Sequence, residues 1–193
     1  EDEEEATDHW RGNPRNTGGH ALEGFIHELD FTRAVFGEVA SVSCEAAGGR
    51  EYDGLLSPEI LMGLVKFESG GLVTARTGST VGLPSRGYWI AGTEGGLHFS
   101  GWGDPVDHYR HDFEQPKAVA ATEGYAYHRE LCDLLAAIEK GGEPENSGDN
   151  GLKNVALGLG MYRSFETGKR IGYEGGLPLH AEMAEDYQNT RYW

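Results

Sequence analysis

Glu23, His27 and Asp30 lie in the stretch GGHALEGFIHELDFTRAVFG at residues 18–37. Read as a helix, this stretch sets Glu23 four residues before His27, and Asp30 three after it. All three then project along one strip. A carboxylate beside an imidazole can orient the ring, and a ring so held can take a proton from a substrate hydroxyl. Gly18 and Gly19 allow backbone to approach a ligand closely, and the first helical turn offers N–H groups with no partner inside the helix. Glu23 sits near the positive end of the helix dipole, which favours its carboxylate form. Leu22, Phe25, Ile26, Leu29 and Phe36 make the apolar stripe of the same helix. The polar strip runs along the edge of that stripe, at the margin of the core, where a cleft would lie. Trp10 and Arg11, just upstream of the glycines, are expected to line the same cavity, with Gly19 and Asp30 as further substrate-binding positions. An ordinary amphipathic helix with a solvated face carries the same spacing, so the strip alone does not separate the two readings.

Other chemistry-bearing residues are more scattered. DHYRHD at 107–112 holds Asp107, His108, His111 and Asp112 with the density of a metal site. No second cluster has matching ligand spacing, so the segment is read as a polar strand or loop and no metal is expected. GGR, SGG and EGG are turns without the lysine and hydroxyl residue of a phosphate loop. Cys44 falls in an apolar strand and Cys132 on a helix, and neither pattern marks a nucleophile. GLG at 158–160 sits inside a helical pattern and reads as helix packing.

The elements that must position these residues follow from periodicity. Strand-like text runs over 38–47, and 59–68 and 72–81 flank SGG as a hairpin. YWIAG and GLHFS flank TEG as a second hairpin, with PVDHYRHDFE as a further candidate strand. Residues 123–140 place Tyr127, Leu131, Leu134, Leu135 and Ile138 on one stripe, and a last helix runs from a Ser147 or Asp149 cap to about Thr167. KRIGYE adds a short edge strand. One helix, several adjacent strands and two closing helices make an α+β pattern. The expected fold is a mainly antiparallel open sheet with the three helices on one face and the other face available for oligomerisation. No G-x-G-x-x-G follows a strand.

The chain has 193 residues, a formal net charge of −16 and two cysteines. Such acidity argues against nucleic acid and anionic membrane as partners. No apolar run approaches the ~20 residues of a membrane span. Two lone thiols fit a reducing cytoplasm. Five lysines against eleven arginines, on so acidic a chain, fit a salt-loving source as well as an ordinary acidic protein. The start EDEEEATDHW has no methionine and no signal or transit pattern, and reads as the interior of a longer protein.

In order and spacing these features resemble the C-terminal domain of the glucose-fructose oxidoreductase/inositol dehydrogenase/rhizopine catabolism (Gfo/Idh/MocA) family. Gly18-Gly19, Glu23, His27 and Asp30 match its signature, and FTRAVFGEVASV looks like its helix end and first strand. LVKFESGGLVTA and IAGTEGGLHF resemble its sheet turns, and YHRELCDLLAAIEKGGEP and VALGLGMYRSFETGKRI its closing helices and last strand. The resemblance implies a domain over 18–173, with 1–17 a connector from an N-terminal Rossmann domain and 174–193 a tail. It implies an NAD- or NADP-dependent oxidoreductase acting on a sugar, inositol or related polyol. The nucleotide would be bound mainly by the Rossmann domain, which lies outside this sequence, and this domain would supply the substrate cavity. His27 would be the acid/base and Glu23 its helper, with hydride passing to the nicotinamide. Glu23 stands where the family usually has aspartate. Homo-oligomers through the open sheet face are implied as well. The alternative is a non-catalytic oligomerisation or interaction module of the same fold.

Overall fold

The computed structural model describes residues 10, 13–52, 55–78, 87–101, 103–120 and 125–179. In chain order the helices are α1 (Pro14–Thr17), α2 (His20–Glu23), α3 (Ile26–Phe36), α4 (Ala126–Lys140) and α5 (Gly148–Thr167). The strands are β1 (Val39–Ala47), β2 (Arg50–Tyr52), β3 (Leu55–Ser57), β4 (Ile60–Phe67), β5 (Leu72–Gly78), β6 (Tyr88–Gly92), β7 (Gly95–Phe99), β8 (Val106–Arg110), β9 (Lys117–Val119), β10 (Ile171–Glu174) and β11 (Leu177–Pro178). They fall into two compact units, 1–81 with 145–193, and 82–144.

The first unit is built on an antiparallel sheet in the order β11-β10-β1-β4-β5. Strand β4 shows the expected alternation: Leu61, Gly63, Val65 and Phe67 are buried, while Met62, Leu64 and Lys66 face out. In β1 the alternation changes phase. The pairs Val39↔Phe67 and Ser41↔Lys66 leave Ala40 as an extra residue, and this bulge lets Val39, Val42 and Cys44 all turn inward. Helices α3 and α5 cover the inward face. Leu29 from α3 and Leu157 and Met161 from α5 join Val42, Leu61, Val65, Phe67 and Ile171 in one core.

Helix α5 comes unusually close to its neighbours because of its glycines. A Cβ on Gly158 would lie 2.5 Å from a methyl of Leu22. One on Gly160 would fall on the hydroxyl of Tyr173, which itself donates to the Ala156 carbonyl at 2.9 Å. GLG is therefore a packing surface, as its place within the helical pattern suggested.

The second unit is a four-stranded antiparallel sheet, β6-β7-β8-β9, together with α4. The hairpin around TEG forms as read, with Tyr88 stacked on Phe99 and Trp89 on His98. Helix α4 ends at Gly141, whose φ of 70° is the left-handed stop. Its stripe residues Tyr127, Leu131, Leu134, Leu135 and Ile138 are exposed.

The α+β, antiparallel fold is as expected, but three expectations change. The strands make two sheets and a β2–β3 hairpin rather than one sheet. Helix α4 falls in the second unit, while the other two helices of the expected set belong to the first. The single helix expected over 18–37 is broken. In addition, the start of the stretch read as a tail forms β11, and Pro14–Thr17 of the connector is helical. The acidic run 1–9 and the chain end at 180–193 lie outside the described residues.

Gly160→Ala should lower unfolding free energy by ~1–3 kcal/mol, the usual cost of overpacking. Gly151 lies in the same helix with open space around its Cβ position. Its change to alanine should instead raise stability by roughly 0.5 kcal/mol or more, because alanine loses less chain entropy in a helix. Urea unfolding of both variants checks the contrast.

Candidate functional site

The site begins at two glycines that the backbone requires. Gly18 and Gly19 both have φ of +74°, a left-handed conformation that side chains resist. Gly18 caps α1, its N–H donating to the Pro14 carbonyl at 2.8 Å. Gly19 is buried, and a Cβ there would lie 2.6 Å from the Tyr162 hydroxyl and 3.3 Å from Ser57 Oγ. Gly19 thus serves chain geometry and close packing.

The single turn of α2 is held from two sides. The Ala21 N–H donates to the Tyr162 hydroxyl at 3.0 Å, and His20 Nε2 is 2.6 Å from Thr77 Oγ1 on β5. Burial pushes the Tyr162 phenol up to about 12, so it remains a neutral hydroxyl at physiological pH. His20 is half-buried, and burial lowers its pKa against the opposing pull of the Glu23 and Glu28 carboxylates.

The helix then breaks. The His20 carbonyl accepts from both the Gly24 N–H at 3.2 Å and the Phe25 N–H at 3.1 Å, and α3 restarts at Ile26. Glu23 and His27 therefore lie on separate segments, and the four-residue spacing on one continuous helix does not describe them. Glu23 is half-buried, whereas His27 is exposed.

Asp30 is tied into the structure beneath. Its Oδ1 accepts from Asn154 Nδ2 at 2.6 Å and Asn150 Nδ2 at 3.3 Å. The buried Arg33 donates from Nη1 to Asn154 Oδ1 at 2.5 Å, Asn150 Oδ1 at 2.8 Å and the Asn150 carbonyl at 3.1 Å. Its Nη2 reaches Glu38 at 3.4 Å, and Lys153 Nζ donates to the other Glu38 oxygen at 2.6 Å. Burial works to raise the Glu38 pKa, but the Lys153 hydrogen bond and the two cationic charges outweigh it and hold the carboxyl below its ordinary range.

The remaining expected residues are more peripheral. Trp10 is largely exposed, and its carbonyl accepts from Asn16 Nδ2 at 3.1 Å. Arg11 lies outside the described residues. DHYRHD forms β8 and the turn after it, where Asp112 pairs with Arg110 at 3.0 Å and Asp107 lies 3.7 Å from His98 Nδ1. Among the described residues, no three His, Cys, Asp or Glu side chains group so as to hold a metal ion. Cys44 is buried and its thiol is pushed up to about 12 by that burial, which removes it as a nucleophile. Cys132 is exposed, its Sγ 3.6 Å from His128 Nε2. Sequence reasoning missed His20, Ser57, Thr77 and Tyr162. Only His20, directly after the glycine pair, carried a local signal; the others join the site through folding.

The sequence and the overall fold match a known family. Residues 2–173 fit the oxidoreductase family's C-terminal alpha/beta domain, and the chain belongs to the Gfo/Idh/MocA family. Among its relatives, a 1,5-anhydro-D-fructose reductase from Ensifer adhaerens is 28% identical over 178 residues, 87% of this chain and 52% of the relative. The aldose-aldose oxidoreductase of Caulobacter crescentus, solved with glycerol, superimposes with a TM-score of 0.74 at 22% identity, over 86% of this chain and 51% of that one. A levoglucosan dehydrogenase, solved with NADH and levoglucosan, gives a TM-score of 0.72 at 18% identity, over 86% and 54%. The chain spans about half the length of these relatives. Among the described residues no helix is long and apolar enough to cross a membrane.

Glu38 gives a pH-dependent check. Its carboxyl is held below its ordinary value of 4.5 in the fold, so its stabilising contribution is full above that value and is lost as pH falls through the folded pKa. Glu38→Gln should therefore be less stable than the parent chain at pH 7. The gap should close on acidification below pH 4.5, as measured by urea unfolding across pH.

Proposed function

We propose that this chain is the substrate-binding and catalytic-histidine domain of an NAD(P)-dependent oxidoreductase acting on a sugar, inositol or related polyol. The observation that carries this reading is the exposure of His27 just after an anchored helix break, in a chain of this family. His27 takes the proton from a substrate hydroxyl, or returns one to a carbonyl, and Glu23 assists the ring. Sugar and anhydrosugar enzymes among the relatives support a polyol substrate.

The dinucleotide does not fit the described residues. Their strand pairs are antiparallel, and they offer no parallel strand running through a glycine-rich turn into a helix. Its binding is assigned to a Rossmann domain outside this chain. The solved relatives carrying NAD+ or NADH support dinucleotide use by the whole enzyme.

A second reading, a non-catalytic assembly module, is favoured by one observation. Met62, Leu64 and Leu72 are exposed on the outer side of β4 and β5, a face suited to pairing with another copy. The two readings differ over His27.

In an enzyme joining this chain to its Rossmann domain, His27→Ala should lower kcat by ~10²- to 10⁴-fold, as for loss of a general acid/base. Glu23→Gln should cost less. Asp30→Asn should lower the melting temperature more than turnover, since Asp30 is bonded to Asn150 and Asn154. Unchanged kcat in His27→Ala would refute the catalytic reading and leave the assembly module. The isolated chain should show no saturable NADH binding at micromolar concentration by fluorescence, and tight binding would overturn the assignment of the nucleotide to another domain.

A further inference from the structure

His20 is a hinge pin at the helix break. Its carbonyl accepts from both Gly24 and Phe25, so its backbone is where the α2 register ends. Its side chain leaves in another direction and meets Thr77 Oγ1 on β5 at 2.6 Å, 57 residues along the chain. Its ring also lies over Gly24, where an added Cβ would be 3.4 Å from His20 Cε1. One residue therefore joins the turn that separates Glu23 from His27 to the sheet.

The need for such a pin follows from helix physics. A single four-residue turn does not hold itself, because nucleating a helix fixes several residues for one hydrogen bond. Had α2 and α3 been continuous, their shared ladder would have set the relation of Glu23 to His27. With the ladder interrupted, tertiary contacts set it together with the two bonds to the His20 carbonyl. Tyr162 holds the Ala21 N–H, on the α5 side, but it is His20 that reaches the sheet on the β5 side.

We propose that His20 is a positioning residue: through Thr77 it clamps the Gly24–Phe25 break and so sets the relation of Glu23 to His27. This rests on the catalytic reading above for its consequence in turnover, but not for its structural content. The charged side chains coupled to the His20 ring are Glu23, on its own turn, and Glu28, on α3. The β5 contact is the uncharged Thr77.

The test uses the 193-residue chain itself. Thr77→Val removes the hydroxyl while keeping the side-chain shape, and Thr77→Ser restores it. Thr77→Val should speed hydrogen exchange at the Gly24 and Phe25 amides by about tenfold or more, and should move the imidazole signals of His27 in heteronuclear NMR. Thr77→Ser should return both. His20→Ala should reproduce the Thr77→Val changes, and the double variant should add little to either. A role confined to general stability would raise exchange throughout the first unit and leave the His27 signals in place, which would overturn the proposal. Unchanged exchange at Gly24 and Phe25 in Thr77→Val would overturn it too. In the joined enzyme, Thr77→Val should lower kcat with little change in KM. If His27→Ala leaves kcat intact while Thr77→Val still alters the NMR signals, the catalytic reading fails and the positioning role stands.

Discussion

Burial of the Arg33 guanidinium constrains much of the first unit. A buried cation is tolerated where its charge and most of its donors are met, although Arg33 Nε has no hydrogen-bond partner among the described residues, and removing one partner of a buried ion pair costs ~3–5 kcal/mol. Here the partners come from three directions: Asn150 and Asn154 on α5, Glu38 just before β1, and indirectly Asp30 on its own helix through the same two asparagines. Sliding α3 along α5 by one turn would strand the charge. The network thus holds the register of the two helices that cover the sheet, which hydrophobic contact alone would leave less sharply defined. Lys153 extends it by neutralising the other oxygen of Glu38.

The candidate site lies at the opposite end of the same helical segment from this lock. Arg33 and Asp30 hold the C-terminal half of α3, while Tyr162 and Thr77 hold the turn of α2 ahead of it. His27 stands between the two anchors, exposed, on the first turn of α3. The acid/base role proposed for His27 benefits from this arrangement. Its backbone is fixed on both sides, while its side chain remains accessible to a ligand. The glycines contribute by absence. Gly19 lets Tyr162 reach the α2 backbone, and Gly158 lets Leu22 press against α5.

The second unit follows a different economy. Its sheet is narrow, and much of its surface chemistry is cross-strand, as in Trp89 on His98 and His98 beside Asp107, with Lys117 over Phe113 closing the β8–β9 connection. Such pairs each contribute a fraction of a kcal/mol to about 1 kcal/mol. They stabilise hairpins without a deep core, and the only large apolar side chain there that is buried among the described residues is Phe99.

Local pattern alone was enough for the strands with one clear face, the β4–β5 and β6–β7 hairpins, the glycine stops of α4 and α5, and the packing role of Gly158 and Gly160. In each case the determining physics is short-range: side-chain alternation, a left-handed glycine, a cap. The family resemblance, too, was legible, because it rests on residue types at fixed spacing. What the sequence could not disclose was decided by contacts between distant residues. The phase change in β1 depends on its pairing with β4. The division of the strands into two sheets depends on which edges meet. The break at Gly24–Phe25 depends on two N–H groups choosing one carbonyl while His20 is drawn to Thr77. A helical wheel drawn through Glu23, His27 and Asp30 assumes an unbroken ladder, so it joined residues that folding separates: Asp30 went to the buried lock, and His27 to the surface. Spacing along a chain reports geometry only as far as the helical ladder continues, and here it is interrupted at Gly24–Phe25, while tertiary bonds from α5 and β5 hold the turn before the interruption.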